Sequence, residues 1–488
     1  MANIRAFRAV RPAPAYAAEI AALPYDVYDE AEARRATAGR PLSFLCIDRA
    51  ETQLPEGTDP YSDVVYEKAA ELFRQEEQDG YFLQEQENCY YLYSLTMNGR
   101  TQTGLVACTA VSDYLDGICK KHENTVVKKE QDRIRHVTAL SAQTGPIFLC
   151  YRADPQIAAW TAEEMQKTPL YDFTAEDGVR HTVWRVADAA RIQAITERFA
   201  EQVRCTYIAD GHHRAASAVK AALAMREGEA CGCEAEQRAG AETGSEAGAV
   251  PQCKTAQNNG KSAAEGVEAN TAQQPKTAQC SGREKKEAVA QNSGLHEYDY
   301  FLSVLFPDDE LEIMDYNRVV KDLNGLSPEE FLQRAGASFQ IRELKLEEGS
   351  AVPERKPQEK GIFHVYLAGT GKWYAFCLNE EIRKQRAGDP VASLDVSVLQ
   401  ELVLAPLLGI GDPRTDERIE FVGGIRGREL LREKAELYGG AAFSLHPTSI
   451  EELMAVADAG RLMPPKSTWF EPKLRSGLFI HKMLEEKN

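Results

Sequence analysis

One central segment of the chain cannot contribute to a hydrophobic core. Residues 228–294 include no Leu, Ile, Met, Phe, Tyr or Trp, and small or polar residues dominate them. Such a composition buries too little apolar surface to offset the entropy lost when a chain is ordered. We therefore predict a disordered low-complexity insertion at 228–294. It would divide one catalytic body into an N-terminal part, 1–227, and a C-terminal part, 295–488.

The remainder of the chain is acidic. The 488 residues hold 75 Asp and Glu against 57 Lys and Arg, a formal net charge of −18, and the insertion contains nine of the acidic and seven of the basic residues. An acidic surface repels nucleic acids and anionic membranes. No apolar run approaches the roughly 20 residues of a membrane-spanning helix. These features favour an enzyme that acts on a small molecule, with neither a nucleic-acid nor a membrane partner.

The cysteines point to a reducing compartment. There are eleven, an odd number spread along a chain far longer than the usual disulfide scaffold. We therefore predict free thiols and a cytoplasmic location. Cys231 and Cys233 are close in sequence, but without a second pair or a histidine at ligand spacing they are weak evidence for zinc. We interpret them as incidental thiols and assign no metal ligand.

Short strands alternate with helices over the rest of the chain. The pattern predicts a first strand within 1–12, a hairpin at 89–109 with a turn at Asn98-Gly99, a strand at 300–306 and a second hairpin at 362–378. Helices are predicted at 59–78, 187–202, 214–227, 327–335, 395–404 and 449–459, the first with Asp59 as N-cap and Pro60 at its first position. This mixture indicates the α+β class.

The densest group of functional side chains is Asp210-Gly211-His212-His213-Arg214, between an apolar strand and an Ala-rich helix. A glycine allows the tight turn, and the N-terminus of the helix offers backbone donors and a favourable dipole to an anion. Arginine adds a fork that matches phosphate oxygens. The pattern predicts a phosphate site. The alternative is that Asp210 only caps the helix and the two histidines are surface residues.

Two further polar clusters are candidates for ligand binding. The first combines a His-Glu pair with nearby basic residues that could hold a substrate carboxylate or a nucleotide phosphate; its candidate substrate-binding residues are His122, Glu123, Asn124 and Arg133. The alternative is a solvated helix face with Lys128 and Asp132 one turn apart. The second cluster follows the rigid Pro464-Pro465 pair, and its candidate phosphate-binding residues are Lys466, Ser467 and Thr468. The alternative there is an ordinary surface turn.

These motifs resemble a known superfamily. The run Tyr-Ile-Ala-Asp-Gly-His-His-Arg, 207–214, resembles the signature of the ParB/sulfiredoxin-like superfamily and, within it, of free L-serine kinases. Residues 447–468 resemble the closing segment of those kinases, with a short helix, a Gly turn and a Pro-Lys-Ser-Thr stretch. Apart from the insertion, the whole chain resembles the domain-of-unknown-function 1015 family through 24–34, 42–45, 122–133, 210–214, 394–399 and 464–468. The resemblance implies a ParB/sulfiredoxin-like core with additional hairpin and helical elements.

The kinase resemblance also implies a reaction, the transfer of a phosphoryl group from ATP or ADP to a hydroxyl of a small metabolite, with free L-serine as the first acceptor to test. Mg²⁺ is implied by phosphoryl transfer. Glu32 becomes the candidate general base, because these kinases keep theirs in an early proline-containing segment, and a positioned carboxylate can accept the hydroxyl proton. His212 is the second candidate catalytic residue. The alternative for Glu32 is an acidic first helical turn with Asp29 as its N-cap.

Two other functions remain open at this stage. A nucleotide-binding regulatory module of ParB-like type would bind phosphate at the same corner without transferring it. A DNA-binding partner of ParB type ranks last, because the sequence shows neither a helix-turn-helix nor a basic stripe and the net charge is −18.

Overall fold

The computed structural model describes the backbone of residues 1–125, 127–241 and 296–484, and their side chains except those of 228–241. Two compact units are present, one formed by Met1–Leu223 with Glu297–Asn488 and the other by Ala224–His296. The first contains all of the sheets described below. Within the second, the structure describes the end of one helix, up to Ala241, and His296. The mixture of helices and strands confirms the predicted α+β class.

The bounds of the regular elements are as follows. The strands are β1 Ile4–Arg5, β2 Val10–Pro12, β3 Phe82–Gln84, β4 Tyr90–Met97, β5 Arg100–Ala110, β6 Cys119–Lys120, β7 Ala142–Gln143, β8 Ile147–Tyr151, β9 Tyr171–Thr174, β10 Arg180–Val186, β11 Thr206–Asp210, β12 Tyr300–Pro307, β13 Ile313–Met314, β14 Tyr316–Val320, β15 Phe339–Glu343, β16 Ile362–Leu367, β17 Lys372–Leu378, β18 Ile419–Gly423, β19 Ala441–Ser444, β20 Trp469–Phe470 and β21 His481–Lys482. The α-helices are α1 Ala17–Ile20, α2 Glu30–Thr37, α3 Leu45–Asp48, α4 Asp63–Gln78, α5 Val111–Leu115, α6 Val127–Leu140, α7 Pro155–Glu164, α8 Ala189–Gln202, α9 His212–Ala241, α10 Pro328–Ala335, α11 Glu380–Arg386, α12 Asp395–Leu399, α13 Gly427–Tyr438 and α14 Ile450–Asp458. Short 3₁₀ turns include Tyr25–Val27, and a π-helical turn, Gln400–Leu404, continues α12.

The main sheet has the strand order β6-β11-β8-β12-β5-β4-β10-β9, with β1 also paired to β5. Strands β4 and β5 form the first predicted hairpin, and Asn98 and Gly99 in its turn have φ angles of 52° and 79°. Positive φ at both central residues is what a two-residue hairpin turn requires. Strand β11 lies between β6 and β8, so its C-terminal residue, Asp210, is fixed within the sheet.

A second sheet has the order β15-β17-β16-β19-β14-β18 and contains the second predicted hairpin, β16-β17. Helix α13 buries Leu431 and Ala435 against this sheet, in a cluster that includes Val319 and Ala442. A larger apolar cluster includes residues of both sheets, such as Val304 and Phe443. The two sheets therefore share buried apolar packing within the first unit.

Several predicted helix boundaries shift in the structure. Helix α4 begins after an N-cap at Ser62, because the Asp59 carboxylate accepts from the Tyr61 amide at 3.0 Å and forms a turn; the N-cap prediction for Asp59 is wrong. Helix α9 begins two residues before its predicted start and runs to Ala241, fourteen residues past the predicted boundary at 228. Residues 228–241 include four Ala and three Glu, and both residue types favour helix. Residues 242–295, most of the predicted insertion, lie outside the described residues. Helix α12 ends early, where the π-helical turn begins.

Helices that were not predicted are α1, α3, α5, α7, α11 and α13. The helical part of the chain that the structure describes contains nothing long and apolar enough to cross a membrane.

Close packing at the centre of the main sheet gives a testable prediction. A Cβ atom at buried Gly104 would lie 2.6 Å from Val304 Cγ1 and 2.9 Å from the Phe306 ring. We expect Gly104→Ala to lower the free energy of unfolding by about 1–3 kcal/mol, the usual cost of overpacking. Urea denaturation measures the change. The control is Gly388→Ala, where no atom lies within 4 Å of the added methyl; equal stability of the two variants would contradict the prediction.

Candidate functional site

The sequence motif Asp210 to Arg214 folds as predicted, as the junction of a strand and a helix. Strand β11 ends at Asp210, Gly211 turns the chain with a φ of 92°, and α9 begins at His212. A Cβ at position 211 would also lie 3.1 Å from the Arg214 guanidinium, so both backbone and packing require glycine. The first backbone N–H groups of a helix have no carbonyl partner within it and sit at the positive end of its dipole. We call residues 210–214 the corner.

Asp210 is the anionic centre of the corner. Its Oδ1 accepts from the Gly211 amide at 3.0 Å, and its Oδ2 lies 3.3 Å from Lys473 Nζ and 3.7 Å from an Arg214 terminal nitrogen. Burial opposes ionisation, but Lys473 and Arg214 outweigh it and hold the pKa of Asp210 well below its usual range. The carboxylate is therefore ionised and already compensated. Its role exceeds the simple helix cap of the alternative interpretation.

Arg214 is turned into the protein. Its Nη1 donates to the Pro146 carbonyl at 2.6 Å, its other terminal nitrogen faces Asp210, and its side chain is only 12% exposed. The guanidinium lies directly against Gly211. Through these contacts Arg214 holds the turn at Gly211 in place.

Two buried histidines bring the three predicted clusters together. The rings of His122 and His212 are perpendicular with centroids 4.5 Å apart, and the His122 amide donates to His212 Nε2 at 3.5 Å. Thr468 Oγ1 lies 3.4 Å from His122 Nε2. Burial lowers the pKa of His122 to about 4, and burial together with His122 lowers the pKa of His212 far below its usual value. Both imidazoles are therefore neutral near pH 7.

The C-terminal cluster forms one wall of the site. Lys466 has a φ of 59°, and its carbonyl accepts from a terminal nitrogen of the buried Arg318 at 3.0 Å. Burial disfavours its charge, but Tyr316 and Glu123 outweigh this and raise the pKa of the Lys466 ammonium. Ser467 is committed to the loop itself, since its hydroxyl donates to the Pro464 carbonyl at 2.6 Å. Ser467 is buried and Thr468 half-buried, whereas Lys466 is exposed, so at Lys466 the loop matches the surface turn of the alternative interpretation.

Sequence reasoning missed an acidic residue near the corner. Asp26 is exposed in the 3₁₀ turn Tyr25–Val27. Burial and Lys129 lower the pKa of His213, and the charge of Asp26 opposes that shift. Asp26 also contributes to the raised pKa of Lys466. The charge of Asp26 therefore acts on both His213 and Lys466. In the sequence, its place in the Pro-Tyr-Asp stretch was the signal that could have found it.

Glu32, the predicted base, lies in the first turn of α2. Its carboxylate accepts from the Asp29 amide at 2.9 Å, and its own amide donates to Asp29 Oδ1 at 2.7 Å. This is a complete capping box, so the predicted N-cap role of Asp29 is confirmed. Burial raises the pKa of Tyr28, and Glu32 is among the acidic groups that add to this shift.

The central cluster continues into α6. Glu123 lies beside Lys466, and burial raises its pKa; Asn124 is exposed. Arg133 is buried, stacks on the Tyr25 ring with its guanidinium carbon 4.0 Å from the ring centroid, and donates from Nε to Asp132 at 2.8 Å. The helix face that carries Arg133 is therefore buried, whereas Lys128, which the alternative interpretation placed on a solvated face, is exposed.

Comparison with known families gives one assignment. Residues 4–246 and 276–397 match the family described as protein of unknown function, DUF1015. The chain belongs to this family. The match spans Asp26, Glu32, 122–133 and the corner, but it ends before Lys466. The place of the C-terminal cluster in the site of this DUF1015 protein therefore depends on the structure alone.

Among solved structures, a free serine kinase in complex with AMP is 13% identical, with 77% of this chain and 92% of that chain covered and a TM-score of 0.30. SbnI with a C-terminal truncation, from Staphylococcus aureus, is 10% identical, with 77% and 87% covered and a TM-score of 0.35. A conserved hypothetical protein from Pyrococcus furiosus is 13% identical, with 77% and 94% covered and a TM-score of 0.29. No curated protein matches the chain.

The part of the chain that the structure describes has no group of three or more His, Cys, Asp or Glu side chains suited to hold a metal ion.

The neutral histidines predict a specific pH dependence. Unfolded His122 takes up a proton below pH 6.5, whereas the folded residue does so only near pH 4, so the unfolded state binds more protons within this window. Stability should fall as pH drops from 6.5 to 4, with His122 alone contributing up to about 3 kcal/mol. In the His122→Gln variant, urea unfolding at pH 7 and pH 4.5 should show a smaller loss than in the wild type. An unchanged loss would contradict the neutral state of His122.

Proposed function

We propose that this DUF1015 protein is a small-molecule kinase that transfers a phosphoryl group from ATP or ADP to a hydroxyl, with free L-serine as the first candidate acceptor. The observation that carries the proposal is the corner itself. A glycine turn and a helix N-terminus lie beside Lys473, which pairs with Asp210, and the charges of Lys466 and Asp26 both act on His213 in the same corner. Such a site suits phosphates on one side and a hydroxyl on the other.

The nucleotide phosphates would lie against the N-terminus of α9. The side chains of His213, Lys466 and Thr468 would add donors there. Arg214 and Ser467 would act indirectly, because their side chains already bond to carbonyls of the protein. His212 would likewise help to form the wall, since its Nε2 accepts a backbone N–H. The corner would thus bind phosphate with groups held in place before the ligand arrives.

Mg²⁺ fits this arrangement only in company with phosphate. In phosphoryl-transfer sites the ion is commonly held by one or two carboxylates and by substrate oxygens. Asp210, at the N-terminus of α9, would be the protein carboxylate for this purpose, while burial raises the pKa of Glu123 and disfavours its ionised form. Mg²⁺, when bound, would neutralise charge on the transferred group.

We assign the general base to Asp26 in preference to Glu32. Asp26 acts on His213 and Lys466, whereas the Glu32 carboxylate is engaged in the capping box of α2. In the reaction the acceptor oxygen bonds to the terminal phosphorus, the bond from phosphorus to the bridging oxygen breaks, and the hydroxyl proton passes to Asp26. The products are the phosphorylated acceptor and either ADP from ATP or AMP from ADP.

The cysteines are consistent with an enzyme of the cytoplasm. Those in the described residues are free, with several deeply buried in the main sheet. Free thiols persist in a reducing compartment.

The reaction can be tested directly. We expect the full-length protein, incubated with Mg²⁺, ATP or ADP and a panel of hydroxylated metabolites, to form a phosphorylated product detectable by ³¹P NMR or mass spectrometry. A parallel incubation without acceptor is the control for hydrolysis. Micromolar nucleotide binding without any product would contradict the kinase and would support the regulatory module instead.

Isosteric substitution distinguishes the roles of the Asp26 and Glu32 carboxylates. We expect Asp26→Asn to lower kcat by about 10²–10⁴-fold, the usual contribution of a general base, while nucleotide affinity changes little. Glu32→Gln should retain most of the turnover, because an amide oxygen can still accept from the Asp29 amide. Steady-state kinetics measure both. Full turnover by Asp26→Asn together with loss by Glu32→Gln would restore Glu32 as the base.

A further inference from the structure

A polar cavity lies next to the corner. It has a volume of about 180 Å³ and is lined by residues that include Tyr25, Asp26, Asp48, Lys129, Arg133 and His136. One water occupies roughly 30 Å³ of liquid, so this volume exceeds a single water several-fold. Asp26 and Lys129 also act electrostatically on His213. Four residues of its lining, Tyr25, Asp48, Arg133 and His136, also line a neighbouring cavity together with Arg214 of the corner.

Arg133 is the main cation of the cavity. Its side chain is 9% exposed and its Nε donates to Asp132, but Nη1 and Nη2 make no hydrogen bond with any residue that the structure describes. The guanidinium is held in place by stacking on Tyr25. Two parallel N–H donors on a fixed plane are the usual partner of a carboxylate. The two terminal nitrogens of this arginine are therefore available to a ligand in the cavity that Arg133 lines.

Asp48 is the matching anion. It is 5% exposed, and its Oδ1 accepts from Thr144 Oγ1 at 3.2 Å and lies 3.9 Å from His136 Nε2. Among described residues, Oδ2 has no hydrogen-bond partner. Burial and Arg133 lower the pKa of His136 to about 4, so this imidazole is neutral and leaves Asp48 uncompensated on that side.

The balance of charge selects the class of ligand. The lining holds four carboxylates, Asp26, Asp48, Glu51 and Asp132, and three cations, Arg49, Lys129 and Arg133. Arg49 pairs with Glu51, and Arg133 Nε pairs with Asp132. A dianion such as a sugar phosphate would meet excess negative charge here. A zwitterion would leave both Arg133 and Asp48 paired.

We propose that this cavity binds a zwitterionic α-amino acid, with its carboxylate on the terminal nitrogens of Arg133 and its ammonium on Asp48 Oδ2. The inference rests on the proposed function, because it identifies this ligand as the phosphoryl acceptor. A hydroxyl on the side chain would point toward Asp26, at the junction with the corner. Arg133 and Asp48 are then binding residues that select the acceptor.

The test uses the full-length protein and isothermal titration calorimetry without nucleotide. The probes are L-serine, L-threonine and L-homoserine, then L-serinamide, which lacks the carboxylate, L-glycerate, which replaces the ammonium with a hydroxyl, and L-alanine, which lacks the hydroxyl. We expect at least one hydroxy-amino acid to bind, and for serine we expect L-alanine to bind within about threefold and the amide and glycerate at least tenfold more weakly, a difference of about 1.4 kcal/mol. Absence of binding by all three hydroxy-amino acids, or equal binding of serine and serinamide, would overturn the assignment.

Variants give a second measurement. Arg133→Lys keeps the charge but removes the fork, and we expect it to weaken amino-acid binding at least tenfold. The comparison variant is Arg135→Lys on the same helix, whose half-buried side chain pairs with Asp63 and stacks on Tyr66. Thermal unfolding checks that both variants fold; if Arg133→Lys does not, the analogue series on the wild type decides. Unchanged binding by folded Arg133→Lys would overturn the proposal.

The outcomes separate this inference from the proposed function. Amino-acid binding that needs both charged groups, without phosphoryl transfer, would support the cavity and contradict the kinase. Phosphorylation of L-serinamide as fast as L-serine would support the kinase and contradict the cavity.

Discussion

The ion pairs of Asp210 hold the site together. Its side chain is 33% exposed, and removing a carboxylate from most of its water is costly unless cations compensate it, as Lys473 and Arg214 do here. Arg214 can approach only because position 211 has no Cβ, and Lys473 comes from the C-terminal segment, 263 residues further along the chain. The same interaction therefore requires the glycine turn, orients the start of α9 and fastens the C-terminal segment to the main sheet.

Around this centre, charge is distributed unevenly. The chain carries a net charge of −18, yet the corner faces Lys466 and Lys473. The imidazoles of His122 and His212 stay neutral because burial removes water from both of them. They add shape and hydrogen bonds without adding charge, so the lysines and the helix N-terminus supply the attraction for an anion. An acidic protein can in this way bind an anionic ligand at one defined place.

Local features of the fold were readable from the sequence because neighbouring residues determine them. The Asn98-Gly99 turn, the step from strand to helix at Gly211 and the capping box of α14 at Ser449 are each set within a few positions. The start of α4 shows the limit: Asp59-Pro60 matched a helix start, but Asp59 closes its own turn and Ser62 precedes the helix.

The contacts that assemble the site were not readable in the same way. Thr468 meets His122 across 346 positions, and Lys473 reaches Asp210 from outside any predicted cluster. Glu32 matched both a base and a helix cap, and the capping box is what the structure shows. Pairings of this kind follow from strand order and packing, which local propensity does not encode.

Some charged groups of the site are already paired with one another, whereas others keep unpaired atoms. This difference bears on how such a site would work. Phosphoryl transfer needs little covalent help from a protein and depends mainly on position and charge. Here the turn, Asp210, Arg214 and Lys473 already satisfy one another, so no reorganisation of these groups is needed when a ligand binds. Arg133 and Asp48, by contrast, each keep charged atoms unused within the neighbouring cavity. These unused atoms are of opposite sign and line one cavity, and Arg133 and Asp48 also line a second cavity with Arg214 of the corner. The groups proposed to select the acceptor therefore lie close to those proposed to bind the phosphates.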